Sequence, residues 1–302
     1  MTDPSKSVLA IDIGGTKIAF ADVEDDRVRN RHQVITPRTG RGADLVDAIT
    51  AEFSRRHPLR IAVATTGMVS GGAVTALNPA TLPIENGFPL ARRIEEVTGL
   101  RPTLINDAHA AAWGEYRFGA GRGFRNFMFV TVSTGIGGGI ILERQLQLGQ
   151  TGLAGHVGHV SVPDAVSLCG CGRRGCLETV ASGTAISRRF GESSGRHLAT
   201  PEIFGAASEG DALAERIIEE SAAALAAAFA DVVATVDLEV IALGGGVGLA
   251  AGFLDRVCKR SSRLPSVFQR EIVRAQAGPD AGLIGVASLA GENFHHNYNL
   301  DK

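Results

Sequence analysis

The sequence predicts an α/β protein built from two related lobes, and three observations carry this prediction. Short apolar segments of strand composition alternate with helical patterns along the chain. Clusters of glycine follow several of the predicted strands. The order strand, glycine turn, strand occurs twice, each time in an alternating β and α context. Such a duplication predicts a ligand cleft between the lobes.

The first copy occupies the start of the chain. Its predicted elements are, in order, strands over 8–13 and 18–23, a helix over 44–56, a strand over 60–65, a brief strand over 103–105 and an alanine-rich helix over 108–118. Gly14 and Gly15 form the turn between the first two strands. Asn106 and Asp107 lie between the last strand and the last helix, where polar side chains project from a strand end.

The second copy begins with a strand over 127–132, a glycine turn over 134–139 and a strand over 140–142. A long helix over 217–235, a strand over 240–243, a third glycine cluster at 244–246 that opens a helix, and a last helix over 280–290 follow. These patterns predict an N-terminal lobe over 1–118, completed by a C-terminal helix within 280–302, and a C-terminal lobe over 119–279 that carries a zinc-binding loop. Residues 293–302 are predicted to be a loose tail.

The composition excludes several classes of function. The 302 residues include 30 lysines and arginines against 32 aspartates and glutamates, for a net charge of −2, so no broad basic face for nucleic acid or membrane is expected. No apolar segment approaches the roughly 18 residues that span a bilayer, and the start of the chain lacks a signal-peptide pattern. A cytoplasmic protein is therefore expected.

The glycine turns carry groups that handle phosphate and magnesium. In the segment 12–17 a carboxylate ends a strand, two glycines expose backbone amides, and a hydroxyl and an ammonium follow. One such turn alone would be an ordinary glycine hairpin. Three of them predict a two-lobed clamp for the phosphates of ATP, and the spacing fits neither the dinucleotide fingerprint nor the Walker lysine loop. The candidate ATP-binding residues are Asp12, Gly14, Gly15, Thr16, Lys17, Thr134, Gly135, Gly137, Gly138 and Gly245.

Asp107 is the candidate general base. Phosphoryl transfer to an alcohol needs one carboxylate that accepts the hydroxyl proton while the phosphates are held in line. Asp107 follows a strand and precedes a helix, so its side chain is expected to project into the cleft. The alternative, that Asp107 only caps the helix, is equally compatible with the spacing.

Three of the four cysteines are crowded together, which indicates a metal site. Cys169, Cys171 and Cys176, with His159 from the segment Gly155–His159, form a plausible tetrahedral zinc set, and the metal would be structural. The alternative is three reduced thiols on a glycine loop beside solvated histidines. Cys258 stands apart in a helical pattern, as a small buried apolar residue would.

Taken together, these motifs resemble the ROK family of sugar kinases and repressors over nearly the whole chain. The resemblance implies an actin-like, hexokinase-like (ribonuclease H-like) ATPase fold, ATP with Mg²⁺ as co-substrate, one structural Zn²⁺ and a homodimer. Under it, Asp107 accepts the proton of the sugar 6-hydroxyl, and Asp12, Thr16, Thr134 and Gly135 bind phosphates and magnesium. The sugar-binding residues would be Asn78, Asn106, Asp107, His156, His159 and Glu178, and the zinc ligands His159, Cys169, Cys171 and Cys176.

His156 departs from the family pattern, in which most sugar kinases carry glutamate. A neutral imidazole offers one donor and one acceptor where a carboxylate only accepts, so the selected sugar should differ. The segment 152–159 and the flanks of Asn106 and Gly246 are similar to those of bacterial N-acetylmannosamine kinases, which implies phosphorylation of N-acetyl-D-mannosamine in sialic acid catabolism.

Three alternatives stay open at this point. The first is a glucokinase, fructokinase or N-acetylglucosamine kinase of the same family. The second is a sugar-responsive repressor, although such proteins carry a helix-turn-helix module ahead of the kinase-like part and the phosphate turn here begins by Asp12. The third is a sugar-binding protein with an inactive site, which the intact Asp107 disfavours.

Overall fold

The computed structural model describes residues 7–163 and 165–292. The predicted tail over 293–302, with His295 and His296, and the matching end of the predicted C-terminal helix lie outside the described residues. Within the described ranges, every helix is too short or too polar to cross a membrane.

Strands and helices alternate along the described chain, which confirms the α/β prediction. The strands are β1 (Val8–Ile13), β2 (Lys17–Glu24), β3 (Arg27–Ile35), β4 (Ile61–Thr65), β5 (Met68–Ser70), β6 (Ala73–Thr75), β7 (Thr103–Asn106), β8 (Phe127–Val132), β9 (Ile136–Leu142), β10 (Gln145–Gln147), β11 (Val240–Gly244) and β12 (Glu271–Arg274). The helices are α1 (Ala43–Arg56), α2 (Leu90–Thr98), α3 (Asp107–Phe118), α4 (Glu178–Ala181), α5 (Gly183–Ser194), α6 (Thr200–Ser208), α7 (Ala212–Val236), α8 (Gly245–Gly248), α9 (Phe253–Ser261) and α10 (Ala281–Gly291).

The described residues form two compact units. The first unit comprises 7–119, Leu148–Ala154 and 277–292, and the second comprises the described residues of 120–147 and 155–276. The first has a five-stranded sheet of order β3-β2-β1-β4-β7, and the second has one of order β10-β9-β8-β11-β12. Along each of these orders, the first two strand pairings are antiparallel and the last two are parallel. The two sheets therefore share one topology.

In the first unit, helices cover both faces of the sheet. Leu45 and Ile49 of α1 and Ile94 of α2 join the apolar core formed with β1, β2 and β4. Helices α3 and α10 pack together through small residues: a Cβ at Gly285 would lie only 1.8 Å from the carbonyl oxygen of Ala110. Glycine therefore permits the close approach of these two helices, which fixes the N-terminal end of α3 where the candidate base lies.

In the second unit, the long helix α7 supplies much of the core. Leu225 and Phe229 of α7 are buried with Phe190 of α5, Phe253 of α9 and Leu243 of β11. The alanine-rich sequence of α7 lets this helix bury most of its length, because small side chains allow close packing on several sides at once. This packing anchors the connections that leave the sheet at β8, β9 and β11.

The predicted glycine turn over 134–139 is wrong in length. The turn is confined to Ser133–Gly135, and β9 begins at Ile136 and pairs with β8. Glycines on both sides permit β9 to pack closely against the segment 155–159. A Cβ at Gly138 would lie 3.0 Å from the carbonyl oxygen of Gly155, and a Cβ at Gly158 would lie 2.2 Å from the carbonyl oxygen of Ile136. The glycine content predicted a longer turn because the sequence does not distinguish a glycine that permits close packing in a strand from a glycine that permits a turn.

The sequence patterns missed several short or polar elements. Strand β3 has the sequence RVRNRHQVI and is mostly exposed, so it lacks the alternating apolar pattern of a half-buried strand. The strands β5, β6, β10 and β12 and the helices α2, α4, α5 and α6 were also not predicted, whereas α9 corresponds to the helical pattern around Cys258. The strands over 8–13 and 127–132 have the predicted bounds.

Candidate functional site

The first glycine turn joins β1 and β2 and exposes backbone amides. Gly14 N donates to Lys17 O at 3.0 Å, which closes the hairpin. The carbonyl oxygens of the turn are held from outside: Thr36 Oγ1 donates to Gly14 O at 2.7 Å and Thr36 N donates to Thr16 O at 3.0 Å. In the described part of the chain, the N–H groups of Gly15 and Thr16 have no acceptor within hydrogen-bond distance. These two amides are available to an anion.

Asp12 lies one residue before the end of β1 and Asp107 begins α3, and the charge of Asp107 affects the pKa of Asp12. Burial, and after it the charge of Asp107, raise the pKa of Asp12 to about 7, although the charge of Arg31 acts in the opposite direction. Burial also raises the pKa of Asp107. Helix α10 lies beside both residues, since a Cβ at Gly282 would be 3.5 Å from Asp12 Oδ2 and 3.9 Å from the backbone carbonyl oxygen of Asp107. Raised carboxyl pKa values in such a place are typical of functional sites.

Asn106 orients Asp107. It is the N-cap of α3, and its Oδ1 accepts from Ala108 N at 2.9 Å and His109 N at 3.1 Å. Its Nδ2 donates to Gly67 O and to Asp107 Oδ1, both at 2.9 Å. Ala108 N also donates to Asp107 Oδ1, at 2.8 Å. The alternative that Asp107 caps the helix is therefore wrong, because Asn106 does so and Asp107 is the first helical residue.

The hydrogen bonds of Asp107 are unevenly divided. Those within the described residues end on Oδ1, so Oδ2 keeps its lone pairs for another partner. Fixing one oxygen by two donors sets the direction of the other. A carboxylate arranged in this way, with a pKa raised by burial, suits a group that must accept a proton from a substrate.

The second glycine turn joins β8 and β9 and is held by different partners. Ser133 N donates to Gly135 O at 2.9 Å, and Gly183 N donates to Ser133 O at 2.7 Å. Thr184 Oγ1 donates to Thr134 O at 2.8 Å. The start of α5 therefore secures the carbonyls of this turn. As in the first turn, two amides, here those of Thr134 and Gly135, lack an acceptor among the described residues.

The third glycine cluster lies beside the end of β8. Gly245 begins α8 with a φ of +83°, and a Cβ there would lie 2.3 Å from the carbonyl oxygen of Val132. Only glycine fits this conformation and this contact. The predicted helix opening at 244–246 is confirmed, and it lies next to the second turn within the same unit.

The cysteines and one histidine come together as predicted. One donor atom from each of His159, Cys169, Cys171 and Cys176 lies within 4.8 Å of the others. Cys169 Sγ is 3.7 Å from His159 Nδ1, and Cys171 Sγ is 3.7 Å from Cys176 Sγ. A tetrahedral zinc with bonds of about 2.3 Å to sulfur separates its sulfur ligands by roughly 3.8 Å. The donor types and spacings thus fit Zn²⁺, and none of these cysteines forms a disulfide.

Glu178 connects this cluster to the second glycine turn. Its Oε2 accepts from Ile136 N at 3.0 Å, directly after the turn. Its Oε1 lies 4.0 Å from Cys169 Sγ. A Cβ at Gly135 would lie 2.6 Å from Glu178 Oε2, so glycine at this position admits the carboxylate. The family resemblance implies that Glu178 binds the sugar, and no sequence pattern signalled its contact with the second glycine turn.

His156 and His159 are neighbours on the second unit. Their rings are stacked, with centroids 6.2 Å apart and planes inclined by 16°. Since His159 turns Nδ1 towards the cysteines, its Nε2 is the ring atom left for a ligand. The cysteine cluster therefore fixes the ring of His159, against which the ring of His156 stacks.

Asn78 shapes its own loop in the first unit. Its Oδ1 accepts from Ala80 N at 3.1 Å, and its backbone carbonyl accepts from Thr81 N at 2.9 Å. This loop packs against the first glycine turn, because a Cβ at Gly15 would lie 2.6 Å from Thr81 O. Asn78, Asn106, Asp12 and Asp107 thus belong to the first unit, and His156, His159, Glu178 and the cysteines belong to the second.

Sequence reasoning missed two residues that hold the first turn. Thr36 binds Gly14 O as described above, and Arg38 donates to Gly15 O and to Ala80 O. Both follow the unpredicted strand β3, so no pattern linked them to the turn.

Cys258 lies on α9, and its Sγ is 3.6 Å from Ile272 O, well apart from the cysteine cluster in sequence.

Comparison with known proteins agrees with this arrangement. The model of the ROK family matches residues 8–293. An N-acetylmannosamine kinase of Yersinia pestis (strain Pestoides F) is 49% identical over 289 residues, which cover 93% of this chain and 97% of the relative. The crystal structure of a ROK hexokinase from Thermus thermophilus has a TM-score of 0.84 at 32% identity, covering 95% of this chain and 99% of the other. A ROK family glucokinase from Streptomyces griseus, in complex with glucose and AMPPNP, has a TM-score of 0.80 at 32% identity over 95% and 99% of the two chains.

Proposed function

The chain belongs to the ROK family, and from this premise we propose that it transfers the γ-phosphoryl group of ATP to the 6-hydroxyl of N-acetyl-D-mannosamine, giving N-acetylmannosamine 6-phosphate and ADP. It is a sugar kinase with the actin-like ATPase fold of its hexokinase-like relatives. The observation that carries the reaction type is the Asp107 carboxylate, oriented by Asn106 and Ala108 through one oxygen and open at the other. The identity of the sugar rests on the relatives and on His156.

Asp107 acts as the general base. Its Oδ2 accepts the proton of the sugar hydroxyl as the sugar oxygen bonds to the γ-phosphorus and the bond between that phosphorus and the bridging oxygen of ADP breaks. The raised pKa of Asp107 favours proton acceptance, because a stronger base takes the proton more readily. The amides of Gly15, Thr16, Thr134 and Gly135 bind phosphate oxygens and stabilise charge during transfer.

Asp12 is the candidate ligand for Mg²⁺, and the hydroxyl oxygen of Thr16 is a second candidate. A buried carboxylate next to a second carboxylate is electrostatically strained, as the raised pKa of Asp12 records, and a divalent cation relieves this strain. Mg²⁺, when bound with ATP, neutralises phosphate charge. Lys17, Gly14, Gly137, Gly138 and Gly245 complete the proposed ATP-binding set.

The sugar is proposed to bind through Asn78, Asn106, His156, His159 and Glu178. Asn106 already uses both ends of its amide within the protein, so its part in sugar binding includes holding Asp107 in place. His156, where most family members carry glutamate, can both donate and accept a hydrogen bond. This difference supports a substituent other than a free hydroxyl near C1 and C2, as the N-acetyl group of N-acetylmannosamine provides.

The cysteine and histidine cluster is proposed to hold one structural Zn²⁺. The ligands would be His159, Cys169, Cys171 and Cys176, whose donor types and spacings fit a closed tetrahedral site. The metal would fix the loop that bears His159 and Glu178. Because Arg173 Nη1 donates to His159 O at 2.6 Å, the protein also restrains the backbone of the histidine ligand.

The setting of the enzyme follows from its chemistry and its family. A kinase that uses ATP and has free cysteines is suited to the cytoplasm, which is the proposed location. The proposed pathway is sialic acid catabolism. The proposed assembly is a homodimer that has neither nucleic-acid nor membrane partners. Sedimentation at micromolar concentration measures the dimer, and a monomer throughout that range contradicts this part of the proposal.

The test is ADP release with ATP and Mg²⁺ across N-acetylmannosamine, N-acetylglucosamine, mannose, glucose and fructose, compared as kcat/KM. The proposal expects the highest kcat/KM for N-acetylmannosamine. A preference for glucose or fructose would leave a ROK sugar kinase with another substrate. Sugar binding without any ADP release would support a sugar sensor instead.

A further inference from the structure

Arg38 bridges two loops of the first unit that the proposed reaction uses separately. Its Nη1 donates to Gly15 O at 3.1 Å, in the glycine turn offered to the phosphates of ATP. Its Nη2 donates to Ala80 O at 2.8 Å, in the loop of Asn78 offered to the sugar. The two carbonyls lie far apart in sequence, so one side chain joins segments that the fold brings together. Both acceptors are neutral, and Arg38 pairs with no carboxylate among the described residues.

The contact between these loops is tight and extends beyond Arg38. A Cβ at Gly15 would lie 2.6 Å from Thr81 O and 2.9 Å from Thr81 Cγ2, so the turn and the Asn78 loop touch directly. Asn78 Oδ1 in turn fixes Ala80 through its backbone N–H at 3.1 Å. A shift of the glycine turn is therefore passed to Asn78 through a short series of contacts.

The geometry points to Arg38 as a positioning residue that couples nucleotide binding to sugar binding. This inference rests on the proposed function, because it assumes that Gly15 faces ATP and Asn78 faces the sugar. The planar guanidinium can hold both carbonyls at once, whereas the ammonium of lysine is a point donor on a flexible stem. By occupying Gly15 O, Arg38 also keeps the turn in the orientation that leaves its amide open to phosphate.

Coupling of this kind is reciprocal. If Arg38 holds the two loops in one arrangement, a nucleotide that fixes the turn increases the affinity for the sugar, and the sugar increases the affinity for the nucleotide by the same factor. If Arg38 acted only through the attraction between its charge and ATP, the expected pattern would differ. Loss of that charge would raise KM for ATP without affecting sugar binding in the absence of nucleotide, and lysine would largely replace arginine.

The experiment compares Arg38→Lys and Arg38→Gln with Arg41→Gln. Arg41 is a matched control because it lies in the same loop, is exposed and pairs with Asp44. Steady-state kinetics give KM for ATP and for N-acetylmannosamine, and calorimetry gives the sugar Kd with and without a non-hydrolysable ATP analogue. Both Arg38 variants should raise both KM values by about 3- to 10-fold, the loss expected for the net contribution of a typical hydrogen bond, with kcat changed less than about 3-fold. The analogue should no longer tighten sugar binding.

Each outcome decides one point. Wild-type kinetics in both Arg38 variants, or full rescue by lysine, would overturn the coupling role while leaving the proposed function intact. A change confined to KM for ATP would assign Arg38 to phosphate attraction instead. An inactive wild-type enzyme would overturn the proposed function itself. Thermal unfolding of each variant shows whether any loss comes from misfolding, and the Arg41→Gln protein should match wild type throughout.

Discussion

The two glycine turns have the same scaffold and different surroundings. Each joins the first antiparallel pair of a five-stranded sheet with the same strand order, and each leaves two amides open. The first turn lies on the unit with the carboxylates Asp12 and Asp107 and is held by Thr36 and Arg38. The second is held by the start of α5 and by Glu178, which also approaches the cysteine cluster.

This difference separates phosphate binding from the rest of the chemistry. Open amides recur in both units because the strand hairpin produces them, so the duplicated scaffold accounts for the two halves of the proposed phosphate clamp. Within the described ranges, the proposed base and the candidate magnesium ligand come from the first unit, and the cysteine and histidine cluster comes from the second. Substitution of Asp107 should therefore act mainly on kcat, whereas substitution of the residues that hold the ligand-binding loops of either unit should act mainly on affinity.

Asp107→Asn should show the largest effect of any single change in the first unit. An amide cannot accept the proton, so kcat should fall by about 10³-fold or more, near the upper range for general-base catalysis. Sugar affinity, measured by calorimetry, should stay within about 3-fold of wild type, because the amide keeps the shape of the side chain and its oxygen can still accept from Asn106 and Ala108. Asp47→Asn, an exposed change on α1, is the control and should leave kcat unaltered. Near-normal turnover in Asp107→Asn would remove Asp107 from the role of base.

The sequence predicted the chemical residues better than the contacts that position them. Asp12, Asp107 and the cysteine cluster stood out because their residue types are unusual at strand ends and in glycine loops. The bond from Ile136 N to Glu178, and those from Thr36 and Arg38 to the first turn, joined residues 42, 22 and 23 positions apart. Such contacts depend on tertiary packing, which local patterns do not encode. The length of the second glycine turn was misjudged for the same reason, since Gly138 serves contact with Gly155.

Removal of the metal tests the second unit. Cys171→Ser should reduce zinc, measured in protein purified without chelators, from about one ion per chain to almost none, and should lower the melting temperature. KM for the sugar should rise by about 10- to 100-fold, the usual cost of a disturbed ligand shell, and KM for ATP should rise less, through the contact of Glu178 with Ile136. Cys258→Ser is the matched control, since Cys258 lies outside the cluster. Wild-type protein without bound metal would contradict the zinc assignment.

A pair of glycine substitutions compares the two turns directly. A Cβ at Gly15 would lie 2.6 Å from a backbone oxygen of Thr81, which cannot move alone, whereas one at Gly135 would lie 2.6 Å from the end of the Glu178 side chain. Gly15→Ala should therefore cost about 10-fold or more in kcat/KM and Gly135→Ala clearly less, since overpacking against rigid atoms is the more expensive. Gly205→Ala on α6, with no atom within 4 Å of the added carbon, is the control. Equal losses at both turns would show that they are equally rigid.

The smallest effect concerns stability and belongs to Asp12. Its folded pKa of about 7 exceeds the ordinary value of 3.8, so between these values the folded chain keeps a proton that the unfolded chain has lost. The free energy of unfolding therefore falls as pH rises from about 4 to about 7, and the full penalty applies above pH 7. Asp12→Asn removes this penalty and should raise the free energy of unfolding by roughly 1–3 kcal/mol at pH 8, after allowance for solvent screening, and by almost nothing at pH 4. Urea unfolding without Mg²⁺ at both pH values measures the difference, and Asp47→Asn should show none. A gain that is equal at the two pH values would mean that the buried charge of Asp12 is not what destabilises the first turn.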